Sequence, residues 1–177
     1  MEILKNSTWQ LSQTNKCMRK SSFKPFLAVT LVALVAASVA YASSVHFKGG
    51  NPTFSDLGTQ LQSCFCLSGL GNQDVTITVK TTGSATTICT NQGGNAAPGQ
   101  NKVPVKPSAQ QTFPATEIKN GNLCACLTTA PPPNPTAKQA GCPSATWSAS
   151  ITDVTFTTAE IVVVQGGKVV LDQKFNP

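Results

Sequence analysis

"SCFCL" at residues 63–67 and "LCACL" at residues 123–127 each hold two cysteines separated by one residue. On a strand, positions i and i+2 share a face and lie about 7 Å apart, too far to bridge each other. Each pair therefore needs partners on a neighbouring strand. Leu57, Leu61, Phe65 and Leu67 form the apolar set of the first segment, which leaves Cys64 and Cys66 on the other face with Gln60 and Gln62. In the second segment Leu123, Ala125 and Leu127 are the apolar set, and Cys124 and Cys126 fall opposite with Asn122. In an antiparallel pair, i and i+2 meet the same kind of backbone pairing, so one register serves two bridges. The spacing predicts Cys64–Cys126 and Cys66–Cys124. Cys89 and Cys142 then pair by elimination.

The alternatives fit less well. A four-thiolate zinc site normally uses C-x₂₋₄-C knuckles, whose turns bring the sulfurs together. A redox motif is normally C-x-x-C at a helix N-terminus, and no helix is suggested around these cysteines. No metal and no cofactor are expected.

Other segments read as strands too. "DVTITVKTT" (74–82) alternates, with Val75, Ile77 and Val79 on one face. "TWSASITDVTF" (146–156) alternates with Trp147, Ala149 and Ile151 on a core face. "EIVVVQGGKVVLDQKF" (160–175) is a hairpin turning at Gly166-Gly167, which sets Val164 opposite Val169 and Val162 opposite Leu171. "KPSAQQTFPATEI" (106–118) is an edge strand bracketed by prolines. "NGN" (120–122) is a turn, and "APPPNPT" (130–136) is an extended, polyproline-like connection inside one domain. The expected fold is all-β: a single antiparallel β-sandwich, Ig-like, of about seven to nine strands, with disulfides. It occupies residues 43–177.

The N-terminus reads as a signal-peptide helix over residues 1–42. "FLAVTLVALVAASVAY" (26–41) is uncharged, follows Lys16, Arg19, Lys20 and Lys24, and ends in the small-x-small cleavage site Ala40-Tyr41-Ala42. Cleavage near Ala42 is expected, with an uncleaved anchor as the alternative. Met18 opens a complete signal peptide by itself, so residues 1–17 read as an extension ahead of the true start.

Beyond residue 42 the chain carries eight lysines, six acids and no arginine. The basic balance of the whole sequence is largely a property of its leader, and no nucleic-acid partner is expected. The even count of six cysteines after residue 42 suits an exported chain with three disulfides.

Catalytic residues are not expected. His46 is the only histidine and lies four residues into the mature chain. Asp56, Asp74, Glu117, Asp153, Glu160 and Asp172 show no spacing that pairs two carboxylates, and Asp153 reads as a bulge residue in preference to a calcium ligand. The segment 90–102 is turn chemistry throughout, and Asn91, Gln92, Asn95, Gln100 and Asn101 are the candidate ligand residues on it. The competing reading is a connector tethered at Cys89.

"SGLGNQDV" (68–75), "CTNQGGNAAPGQN" (89–101), "IKNGN" (118–122), "AGCP" (140–143) and "ITDVTF" (151–156), in this order, resemble a group of small exported bacterial proteins without an assigned activity. The resemblance spans roughly residues 45–175. It implies bacterial secretion and a single domain, pairs Cys89 with Cys142 more consistently than the two C-x-C pairs, and supplies no catalytic residue. Together these readings give an exported, non-catalytic β-sandwich, structural or surface-associated, secreted or held at the cell surface. The alternative is an extracellular module binding a glycan or protein through loop 90–102. Self-association through an exposed strand edge near the N-terminus is a further expectation.

Overall fold

Alternation of inward and outward side chains builds most of the described structure. The computed structural model describes residues 44–177, all within one compact unit, Ser38–Pro177. The expected signal peptide therefore lies outside the described residues. Among the described residues there are ten strands: β1 (His46–Phe47), β2 (Thr53–Asp56), β3 (Leu61–Ser68), β4 (Val75–Thr90), β5 (Ala96–Pro98), β6 (Val103–Val105), β7 (Ser108–Phe113), β8 (Leu123–Thr128), β9 (Ser148–Gln165) and β10 (Lys168–Phe175). A short α-helix, α1 (Ala137–Ala140), sits between β8 and β9, and a single 3-10 turn (Ala115–Glu117) between β7 and β8. Among the described residues, no helix is long and apolar enough to cross a membrane.

The strands form two antiparallel sheets. In the smaller, β3 is central, with β8 along one side and β2 and β1 in succession along the other. In the larger, the order is β10–β9–β4, and the free side of β4 is covered in turn by β7, β6 and β5. One apolar cluster draws on both sheets: Phe65, Leu67, Leu123 and Leu127 from the smaller, Val75, Ile77, Val79, Ile161 and Val163 from the larger. Phe175 on β10 closes one side of it, with ring centroids 5.5 Å from Phe47 and 5.7 Å from Phe54.

β3 and β8 pair Cys64 with Cys126 and Cys66 with Cys124, and both pairs are bridged. The Cα atoms lie 4.0 Å apart in each, the narrow kind of antiparallel pair. The sulfurs lie on the outer face, while Leu61, Phe65 and Leu67 are buried. Cys89 joins Cys142, fixing the far end of β4 to the segment after α1.

Several sequence expectations need correction. Leu57 is 54% exposed and lies outside the core set of β3, because the chain turns at Gly58 before the strand begins. Val162 faces Asp172, not Leu171: Val170 is an extra residue in β10, so Val169 meets Val164 but Leu171 meets Val163. The segments 146–156 and 160–165 are not two strands but one, β9. It carries bulges at Thr152 and Thr157, where β4 skips a partner. The bulge expected at Asp153 thus falls one residue earlier.

Two small features lead to measurable expectations. Ser63 lies among Leu61, Phe65 and Leu67 on the inward face, fully buried, and its hydroxyl has no hydrogen-bond partner. A buried hydroxyl without a partner is destabilising, so Ser63→Ala should raise stability by about 1 kcal/mol in a denaturant titration. On the outer face of the larger sheet, Glu160 bridges Lys80 at 3.4 Å and Lys174 at 3.6 Å. Burial alone would raise its pKa; the Lys80 and Lys174 ammonium groups together outweigh this and hold it below the ordinary 4.5. Because the folded-state value is depressed, this contribution is present above the unfolded pKa and is lost as pH falls through the folded one. Glu160→Gln should therefore flatten the acid limb of a stability profile below about pH 4.5 and leave its neutral limb parallel to wild type.

Candidate functional site

Loop 90–102 is a hydrogen-bonded hairpin that follows the bridged Cys89. Asn91 organises its tip: its backbone N–H donates to the Asn95 carbonyl at 3.0 Å, its carbonyl accepts from Gly94 N–H at 3.0 Å, and its side-chain Oδ1 accepts from Asn95 N–H at 2.9 Å. Gly94 adopts φ +81°, a conformation glycine tolerates at no steric cost. β5 then returns along β4. Gln100 Nε2 donates to the Pro98 carbonyl at 3.1 Å, and Asn101 Nδ2 to the Gln139 carbonyl at 3.2 Å. Of the five candidate ligand residues, Asn91, Gln100 and Asn101 thus hold the loop's own shape. The side chains of Gln92 and Asn95 remain exposed at the tip.

A second candidate site lies further along the same side of β4, beside β6. A groove of about 420 Å³ runs between Val103–Ser108 and Ala130–Pro135, with Gln139 at one end. The second wall owes its form to its prolines, each with φ near −65°, and residues before proline are pushed to extended conformations. It is tied at intervals. Ala130 N–H donates to the Ser108 carbonyl at 3.0 Å, and Ile151 N–H donates to Asn134 Oδ1 at 2.9 Å beside the Thr152 bulge. Thr136 and Gln139 form a reciprocal capping box that starts α1, and Gly141 ends it at φ 69°. The first wall is fixed by β6 pairing and by Pro107, whose carbonyl accepts from both Thr81 N–H and Thr81 Oγ1 at 2.9 Å.

Among the described residues, His46, Asp56 and Asp74 lie apart from one another. His46 Nδ1 lies 2.8 Å from the Ser44 carbonyl at an exposed position. Asp56 accepts from Gly58 N–H and Asp74 from Ala115 N–H, both at 2.8 Å, so these two carboxylates organise turns. Among the described residues, no three His, Cys, Asp or Glu side chains converge as metal ligands would. Trp147 is half-buried against Cys89, Ala140, Ala149 and Cys142. It is not part of an exposed aromatic platform.

The groove escapes notice in the sequence because its walls are some 25 residues apart and each is unremarkable alone. Of its parts, only the proline run 130–136 carries a sequence signal, that of an extended connection. No family model matches the chain, and no curated protein matches it in sequence. Among solved structures it is similar to a glycosyl hydrolase family 2 member from Bacteroides cellulosilyticus, at 9% identity and a TM-score of 0.31. The match covers 73% of this chain and 14% of that one.

Proposed function

We propose that this chain is an exported, non-catalytic domain of Ig-like β-sandwich type, structural or surface-associated, released by cleavage near Ala42. The observation that carries the reading is the set of three disulfides, each closing a long stretch of chain, with sequence separations of 62, 58 and 53. Such bridges form and persist in oxidising compartments. The exposed pair on β3 and β8 would be open to reductants elsewhere. Bacterial secretion, which the motif resemblance implies, agrees with this. The dispersed acids and the peripheral His46 favour a role without catalysis.

The test is the intact mass of the protein recovered from its own host. The expected mass is that of Ser43–Pro177 less six hydrogens. A retained leader or free thiols would overturn the reading. Binding of an extracellular glycan or protein is the second reading. The committed side chains in loop 90–102 move its most favourable surface to the proline-walled groove.

A further inference from the structure

We propose that the groove between Val103–Ser108 and Ala130–Pro135 binds an extended peptide segment through a tryptophan or tyrosine side chain with an acidic neighbour. The inference does not depend on export. It rests on what the walls offer and what they lack.

Six of the thirteen lining residues are prolines: Pro104, Pro107, Pro131, Pro132, Pro133 and Pro135. Proline has no N–H, so the polyproline wall presents carbonyl oxygens with few backbone donors between them. The carbonyls of Pro131, Pro132 and Pro133 accept no hydrogen bond from the described residues. A ligand suited to this wall brings donors and a flat apolar face to lie on pyrrolidine rings. Indole N–H and phenol O–H groups, each on an aromatic ring, combine the two.

Charge narrows the choice. Lys106 is the one charged residue lining the groove, and its ammonium has no hydrogen bond or ion pair among the described residues. An acidic group beside the ring complements it. Shape points to a chain rather than a small molecule: the groove is open, and its proline wall is six residues long, roughly 19 Å at the polyproline rise of about 3.1 Å per residue. Both walls are held before a ligand arrives, which reduces the ordering cost of binding.

The reverse arrangement, in which the proline run itself inserts into a partner's aromatic groove, fits less well. In a three-residue period Pro132 and Pro135 share a face, and these are the half-buried prolines of the run. The P-x-x-P face is thus turned toward the body of the domain.

The test is an NMR titration of the uniformly 15N-labelled domain, disulfides intact, with the blocked peptide acetyl-Gly-Trp-Asp-Gly-amide. Saturable shifts below about 5 mM are expected at the amides of Val103, Lys106, Ser108 and Gln139. Replacing the peptide's Trp by Leu should abolish saturation. Lys106→Glu should weaken the Asp peptide about fivefold and leave a peptide with Asn in place of Asp within about twofold. Lys138→Glu, outside the groove, should change neither. Shifts elsewhere, no saturation, or an equal loss of affinity for both peptides on Lys106→Glu would overturn the proposal. So would indole-3-acetate binding as tightly as the peptide, which would make the groove a small-molecule site.

Discussion

Removing the Cys66–Cys124 bridge alone, by Cys66→Ala with Cys124→Ala, should cost about 2 kcal/mol, whereas removing both ladder bridges should cost about 6 kcal/mol. The asymmetry follows from which loops the bridges close. With no other link between β3 and β8, the first bridge closes a stretch with a sequence separation near 60, which constrains the unfolded chain by about 4 kcal/mol. Once it is present, the second closes only the small ring formed by residues 64–66 and 124–126, which constrains it by about 2 kcal/mol. Either bridge can play either part, so each single removal is mild and the double removal exceeds their sum. Urea melts of the three variants and the parent check this in one series. Strict additivity would mean that the bridges act on the folded state instead. The outward placement of all four cysteines makes the comparison clean, because Ala at these positions opens no core cavity.

Gly83→Ala should be the most damaging single-atom addition in the larger sheet, costing about 3 kcal/mol. Gly83 is buried on the inward face of β4, where β9 carries the extra residue Thr157. A Cβ there would lie 2.6 Å from the Thr155 carbonyl oxygen and 3.0 Å from Val154 Cγ1. The first neighbour is backbone held in the longest ladder of the protein, so it cannot give way cheaply. Ser84→Ala, one residue along on the outer face, should change stability by less than about 0.5 kcal/mol. Thermal melts of the two variants separate steric contact from strand propensity, because both end in alanine on the same strand. Equal effects would show that propensity, not the Thr155 carbonyl, governs the site.

The parts of this fold that were legible in the sequence are those where apolar alternation runs unbroken. β3 and β8 keep one period of two along their whole length, with cysteines on the outer face and apolar residues on the inner one except at Ser63, so their register and bridges follow from spacing. β9 was cut in two because each bulge exchanges the faces: inward positions run Ala149 and Ile151, then Val154 and Phe156, then Ala159, Ile161 and Val163. No single period of two describes such a strand. The second half of β4 was missed for a different reason. Its inward positions Thr81, Gly83 and Thr87 are buried without being apolar, and they fit because backbone passes close to them. α1 did carry a local signal, the Thr136-x-x-Gln139 capping box, within a segment read only for its prolines. The groove had none, since the Ala130–Ser108 bond that aligns its walls joins residues with no mutual pattern.

The contact of Phe175 with Phe47 and Phe54 gives the molecule a particular order of assembly. The first described strands meet the ring of Phe175, on the last of the described strands. β4 likewise waits for β9, whose residues emerge more than 70 positions later along its first half. A nascent or translocating chain that appears N-terminus first cannot close this core early. The ring contacts of Phe175 form only once β10 is out, so Phe175→Ala should weaken the join between the earliest described strands and β10.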